Sequence, residues 1–274
     1  MSNKMIAVLL TIVIAVLALP LIARFAGGKI STETIMLPGD VPLEMVRIEP
    51  GTFQMGRYSG EKDSWPDEHP QHQVTLTSGF WMAKYELTKA QWTAVMGTTP
   101  WSGLNYVLDN PDSPAVYVSW HDAQAFITAV NSYTSKTFRL PTEAEWEYAC
   151  RAWTTTRFYW GDDPGYTAID DYAWWEGNAD YVGQDYAHVV GQKLPNAFGL
   201  YDMSGNVWEW RQDWYDSDYY SSSPETDPEG PASGSRRVLR GGGWADNGNY
   251  CRSAYRPDAS PSYTRFDIGF RLSR

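Results

Sequence analysis

The longest apolar stretch of the chain runs from Met5 to Ala23, 19 residues without a charge. A helix rises ~1.5 Å per residue, so this run reaches roughly 28 Å, close to the depth of a hydrocarbon core. It is long for a signal-peptide core, and no small-x-small cleavage site directly follows it. It therefore reads as one retained transmembrane helix, a signal anchor over residues 5–23 behind a tail of residues 1–4. Lys4 on one side and Arg24 and Lys29 on the other nearly balance, so charge sets the orientation only weakly. The soluble part is expected outside the cytoplasm, periplasmic or extracellular. Residues 24–41, broken by Gly27, Gly28, Ser31, Thr32, Pro38 and Gly39, read as a linker. Residues 42–274 show no second linker and no repeat, and read as one domain.

Within that domain the patterning is short-ranged. Val46–Ile48 reads as a strand ending at a Pro50-Gly51 turn, and Gln73–Leu76 and Phe80–Tyr85 read as further strands. Three helices are marked by their starts. Thr88 with Gln91 and Thr142 with Glu145 form capping boxes. Ser119 precedes Ala123, Phe126, Ile127 and Val130 at helical spacing. Beyond Arg151 the pattern dissolves, with short strands expected at Val238–Leu239, Tyr250–Tyr255 and Gly269–Leu272. Residues 213–235 are read as a surface loop. The fold class is α+β, irregular and loop-rich.

Composition sharpens this. Aromatic residues make up 15% of the 274, with 14 Trp and 18 Tyr, and there are 23 Gly. That mixture fits packing by large rings in place of long regular elements. A net charge of −11 argues against a nucleic-acid partner, because phosphate backbones reward clustered cations. Two Cys are too few for a disulfide scaffold. His69 and His72 precede a strand and do not share a helical face, so they are a poor metal pair. No nucleophile elbow, phosphate loop or zincin motif is present.

Four ordered segments carry a resemblance. They are Met45–Ile48 with Pro50–Phe53; Arg139–Ala149; Asn196–Trp210 (NAFGLYDMSGNVWEW); and Arg240–Trp244 with Cys251–Arg256 and Gly269–Arg271. Together they resemble the formylglycine-generating enzyme, or sulfatase-modifying factor, family over about residues 42–274. The resemblance implies a fold related to C-type lectin-like domains. It also implies a structural calcium site at positions matching Asp202, Gly205, Val207 and Glu209. Oxygen donors at such close spacing suit calcium, which takes six to eight oxygens. A second calcium site would fall near Asn178, where the spacing differs. Trp208 matches a cleft tryptophan.

The departure lies in the cysteines. The resembling oxidases bind copper(I) through two Cys five residues apart, behind a Gly-Gly-Ser-aromatic motif. Here that motif is Gly241-Gly242-Gly243-Trp244, and ungapped counting puts Asp246 at the first Cys position and Cys251 at the second. One thiol beside an aspartate does not form a two-sulfur site for a soft metal, so copper is not expected. Cys150 reads as a buried free thiol or as the partner of Cys251. Two functions follow from this pattern. One is a membrane-anchored binding domain, an accessory subunit meeting a protein partner at the envelope. The other is an enzyme with altered oxidative chemistry on a peptide or small envelope substrate, with Asp246, Cys251, Arg252 and Trp208 in its cleft.

Overall fold

The computed structural model describes residues 30–274. The Met5–Ala23 segment lies outside the described residues, and among those described no helix is long and apolar enough to cross a membrane.

The first elements are β1 (Thr32–Leu37) and β2 (Val41–Ile48), an antiparallel hairpin whose register runs from Thr32 opposite Val46 to Leu37 opposite Val41. Gly39 holds the turn at φ 72°, a left-handed conformation that glycine adopts without a side-chain clash. The segment read as a linker therefore contains a strand, and the domain begins before Pro42. The reason is in the pattern: Ile35 and Leu37 are buried while Thr32, Glu33 and Met36 are not fully covered, an alternation too short to register against the surrounding Gly and Pro.

A second hairpin, β3 (Gly51–Met55) with β4 (His72–Leu76), follows the Pro50-Gly51 turn. Strand β5 (Phe80–Ala83) joins the first sheet beside β2. The three helices start where the capping boxes place them. They are α1 (Lys89–Met96) on Thr88, α2 (Trp120–Thr134) on Ser119, and α3 (Glu143–Arg151) on Thr142. In α2 the buried face is Ala123, Phe126, Ile127 and Val130. A single turn, α4 (Ile169–Tyr172), is the only α-helix in the irregular stretch that follows among the described residues.

A four-stranded sheet has the order β8 (Asp258–Ala259), β7 (Arg237–Arg240), β6 (Trp208–Trp214), β9 (Ile268–Gly269), with β9 parallel to β6. The C-terminal residues then run back to the first sheet: Ala83 N donates to Leu272 O and Trp81 N to Arg274 O. The residues after β9 thus tie the three-stranded sheet to the four-stranded one. The expected strand at Tyr250–Tyr255 is absent. Asn247 caps a 3-10 turn over Gly248–Cys251, its side chain accepting from Asn249 N, and the backbone after it is irregular. Residues 213–235 are largely exposed, but Asp213 and Tyr220 are buried.

The core lies between the sheets and helices. Trp92, Phe126 and Phe270 stack or meet edge-on with centroids 5.6 to 6.4 Å apart. Trp146, Met82, Phe80 and Tyr148 fill the other side. Charged groups are interspersed: Arg211, Arg240, Arg252 and Arg271 are fully buried.

Removing residues 1–41 strips β1 from β2 and takes Ile35 and Leu37 out of the core. At roughly 1.5–3 kcal/mol per buried aliphatic side chain this costs about 3–6 kcal/mol. A chain starting at Pro42 is therefore expected to melt at least several degrees below one starting at Lys29; equal melting points would contradict the role given to β1.

Candidate functional site

The strand β6 opens with Trp208, and the period of two puts Trp208 and Glu209 on opposite faces. Trp208 turns toward the Gly241–Trp244 segment. Its indole Nε1 donates to Asp246 Oδ2 at 2.6 Å. Asp267, just before β9, lies against the same spot. A Cβ on Gly243 would sit 2.8 Å from Asp267 Oδ2, 2.9 Å from Asp246 Oδ2 and 3.2 Å from Trp208 Cδ1. This is the physical reason glycine stands where the resembling motif has Ser: a side chain there meets two carboxyl groups and an indole. Arg265 serves both acids, with Nη2 2.8 Å from Asp267 Oδ2 and 3.7 Å from Asp246 Oδ1.

Two carboxyl groups share one guanidinium that is a third exposed. Asp267 is fully buried, and burial pushes its carboxyl up to about 8, Arg265 offsetting part of the rise and Asp246 adding to it. Asp246 is also raised by burial, against the pull of Arg265. The pair holds a proton at neutral pH. Tyr255 and Tyr250 line the approach, their ring centroids 5.8 and 6.4 Å from Trp208. Asp267 was not singled out from sequence; its only signal is an acid immediately before the Ile268-Gly269 pair.

The other cleft candidates lie deeper. Cys251 is fully buried among Phe158, Ile169 and Ala173, and burial lifts its thiol well above the ordinary range. Both cysteines are free. Cys150 lies at the end of α3, its Sγ 3.6 Å from Met203 O, its thiol pushed up to about 12 by burial. Arg252 faces the interior, not the cleft. Its Nη1 and Nη2 take the two oxygens of Glu68 at 2.7 and 2.5 Å, and Nη1 also reaches Glu61 at 2.9 Å. The acidic stretch between β3 and β4 is thus the anchor of a buried arginine.

The four residues expected at a calcium site do not converge through their side chains. Glu209 is saturated: Oε1 accepts from Arg271 Nε at 2.7 Å, and Oε2 from Arg211 Nη2 at 2.6 Å and Trp146 Nε1 at 3.0 Å. A cation reaching that carboxylate would have to displace two buried guanidinium groups. Val207 offers its N–H to Glu86 Oε1 at 3.1 Å, and Asn206 Nδ2 donates to Glu86 Oε2 at 2.6 Å. Glu86 is fully buried and raised well above the carboxylate range by burial, with Asp202 and Glu209 adding to it. Asp202 accepts from Gly191 N through Oδ2 at 2.7 Å, while its buried Oδ1 has no partner among the described residues. That free oxygen is the one feature here that suits a cation; Gly205 and Val207 would add only backbone carbonyls. Asn178 is held in a hydrogen-bonded turn with Trp175 and Asp170. His188 stacks on Trp174 at 3.7 Å and is lowered to about 4 by burial, so it is neutral. Among the described residues no group of three or more His, Cys, Asp or Glu is arranged to hold a metal.

The proton on the Asp246–Asp267 pair gives a pH signature. The folded chain holds it where the unfolded chain has lost it, so between the ordinary carboxylate range and about pH 8 the folded state binds more protons and stability falls as pH rises. Asp267→Asn removes that contribution. The variant is expected to gain stability relative to the parent as pH is raised from about 5 to about 8; denaturant unfolding at both pH values checks it, and a constant difference would refute the shared proton.

Residues 37–274 match the family described as Sulfatase-modifying factor enzyme 1-like domain. A formylglycine-generating enzyme of Streptomyces coelicolor is 40% identical over 178 residues, 61% of this chain and 54% of that protein. The serine/threonine-protein kinase pkn1 of Chlamydia caviae is 33% identical over 279 residues, 93% of this chain but 41% of that protein. The chain thus spans about half or less of the length of these curated relatives. Among solved structures, PvdO from Pseudomonas aeruginosa superposes with a TM-score of 0.78 at 29% identity, covering 88% of this chain and 97% of that one. Treponema denticola variable protein 1 gives 0.77 at 30% identity, with 88% and 98% covered. With the matched span taking in every strand from β2 onward, all three long helices and the Trp208 cleft, the chain belongs to the sulfatase-modifying-factor family of formylglycine-generating-enzyme-like domains.

Proposed function

We propose that this chain is a family member without copper-dependent formylglycine chemistry, and that it works as a binding or accessory subunit held at a membrane by residues 5–23. One observation carries the reading. At the two positions counted as the family's cysteines stand Asp246, hydrogen-bonded to Trp208, and Cys251, a fully buried thiol that burial keeps protonated. Copper(I) selects thiolate sulfur. One protonated thiol and one carboxyl do not provide that ligand set. The soluble domain then offers its irregular loops and the Trp208 cleft to a protein partner outside the cytoplasm. The kinship with C-type lectin-like domains that the resemblance implies belongs to the same reading.

A second reading is favoured by the Asp246–Asp267 pair. Two adjacent carboxyl groups sharing one proton beside an aromatic wall are suited to giving and taking a proton. In that case the cleft acts on a peptide or small envelope substrate, with Asp246 facing it and Asp267 setting the protonation state of Asp246.

Calcium is the third element of the proposal, held through Asp202 Oδ1 and the carbonyls of Gly205 and Val207, with Glu209 kept out by its arginines. It would supply structural support and no chemistry.

Copper(I) titration of the soluble part against a competing chelator is expected to find no tight stoichiometric site. A one-to-one site lost in Cys251→Ser would overturn the main reading. For calcium, a saturating excess of about 100 times Kd stabilises a native site by ~2.7 kcal/mol. Melting with calcium and with chelator is expected to differ by several degrees in the parent and not at all in Asp202→Asn; identical curves in the parent would remove calcium from the account.

A further inference from the structure

Away from the Trp208 cleft, α2, α3, the β4–β5 turn, β7 and residues 227–232 enclose an open cavity of about 870 Å³. Its volume lies within the range of small-molecule sites. None of Trp208, Asp246, Cys251 or Asp267 lines it.

Arg237 stands on its wall. The guanidinium is clamped between the rings of Trp214 and Trp120, at 3.4 and 3.8 Å from their centroids. The residue is 8% exposed. Its one hydrogen bond runs from Nη1 to Gln212 O. Nε is buried without a partner, Nη2 makes no hydrogen bond, and no carboxylate pairs with it among the described residues. Of the nearby acids, all but Glu229 are engaged or neutral. Glu145 takes Arg139 through both oxygens at 2.5 and 2.6 Å. Asp227 accepts from Thr77 N and Oγ1. Asp213, the acid that acts on Arg237, accepts from Glu143 N, and burial pushes it up to about 8, so it is protonated at neutral pH. Glu229 is exposed on the rim.

Arg237 Nε is closed off from the cavity as well as from solvent, as are Gln124 Nε2 and Arg274 Nε, so Arg237 Nη2 is the donor left to meet a ligand. An unpaired buried cation costs free energy, and an arginine without a counterion at a cavity is the pattern left by a missing anion. Leu76, Phe80, Ile127 and Phe138 form the apolar part of a lining that also carries Ser78, Thr142 and Gln212. Clamping by two indoles removes the rotamer freedom Arg237 would otherwise lose on binding, so the group is set in place for a planar anion.

We propose that this cavity binds a carboxylate carrying a small apolar body, the carboxylate against Arg237 and the body over Ile127 and Phe138. A carboxylate can accept from Arg237 Nη2, and its charge supplies the counterion the site lacks.

Calorimetric titration of the full chain in detergent with acetate, butyrate, hexanoate and the neutral hexanamide tests this. Saturable one-site binding is expected to tighten by about four-fold for each methylene buried. Hexanamide is expected to bind at least about ten-fold more weakly than hexanoate, because a charge-assisted bond is lost. Arg237→Met is expected to abolish the preference for the acid over the amide. If Arg237→Met does not fold, the comparison of acid and amide in the parent decides. No saturable heat with hexanoate, or equal affinity for acid and amide, would each overturn the site.

Discussion

Buried arginines paired with buried carboxylates hold this fold together where regular secondary structure does not. Arg271, just after β9, grips Glu209 of β6. Arg240 of β7 and Arg151 of α3 share Glu147. Arg256 takes both oxygens of Glu143 at 2.7 and 2.8 Å. Arg252 closes on Glu68 and Glu61. Apart from Arg151 with Glu147, one turn apart within α3, each pair joins segments far apart in sequence, and three of the acids sit on α3 or in β6. Taking such ions out of water is expensive, and a well-packed apolar set can match a buried pair in net stability. What the pairs add is position: a guanidinium fork fits a carboxylate in one orientation, and its remaining donors go to backbone carbonyls that loops leave open. Arg240 alone donates to the carbonyls of Ser253, Ala254 and Tyr255.

The cleft inherits its geometry from this lattice. Glu209 is held by Arg271 and Arg211, which fixes the rotation of β6. The alternation along the strand then presents Trp208 to Asp246 and sends Trp210 inward, where its Nε1 reaches Val118 O at 3.0 Å. Arg240 and Arg252 bracket the irregular run that carries Gly243, Asp246 and Cys251. A conventional metal site at Glu209 would compete with this arrangement, which is why the calcium proposal rests on Asp202 and not on Glu209. The same lattice leaves Arg237 as the exception, a buried arginine stacked on indoles but without an acid.

The sequence shows most clearly what is decided locally. Thr88, Ser119 and Thr142 begin their helices because a cap hydrogen bond closes within three residues. The apolar face of α2 is visible for the same reason. β1 is hidden because its two buried residues lie between glycines and a proline, and its partner strand makes it a strand. The 3-10 turn at Gly248–Cys251 replaces an expected strand because Asn247 and the clamp on Arg252 override the apolar alternation. Buried charges are the least visible. Glu61 and Glu68 look like a solvated loop until Arg252 is known to lie opposite, and Glu86 looks like one acid before a helix until Asn206 and the Val207 N–H are known to close on it. The ordered motifs located the cleft through Trp208 and Asp246, but Asp267 reaches it only through the parallel pairing of β9 with β6. The Arg237 cavity is assembled from segments far apart along the chain, of which only Arg139–Ala149 carries a motif.

A double-mutant cycle on Arg240 and Glu147 tests the lattice most directly. Arg240→Met and Glu147→Leu are each expected to cost about 3–5 kcal/mol in equilibrium unfolding, since each strands its partner's charge in the interior. The double variant is expected to cost much less than the sum, with a coupling of at least about 2 kcal/mol. Additive costs, with the double variant as destabilised as the two singles together, would contradict the claim that these pairs position the loops around the cleft.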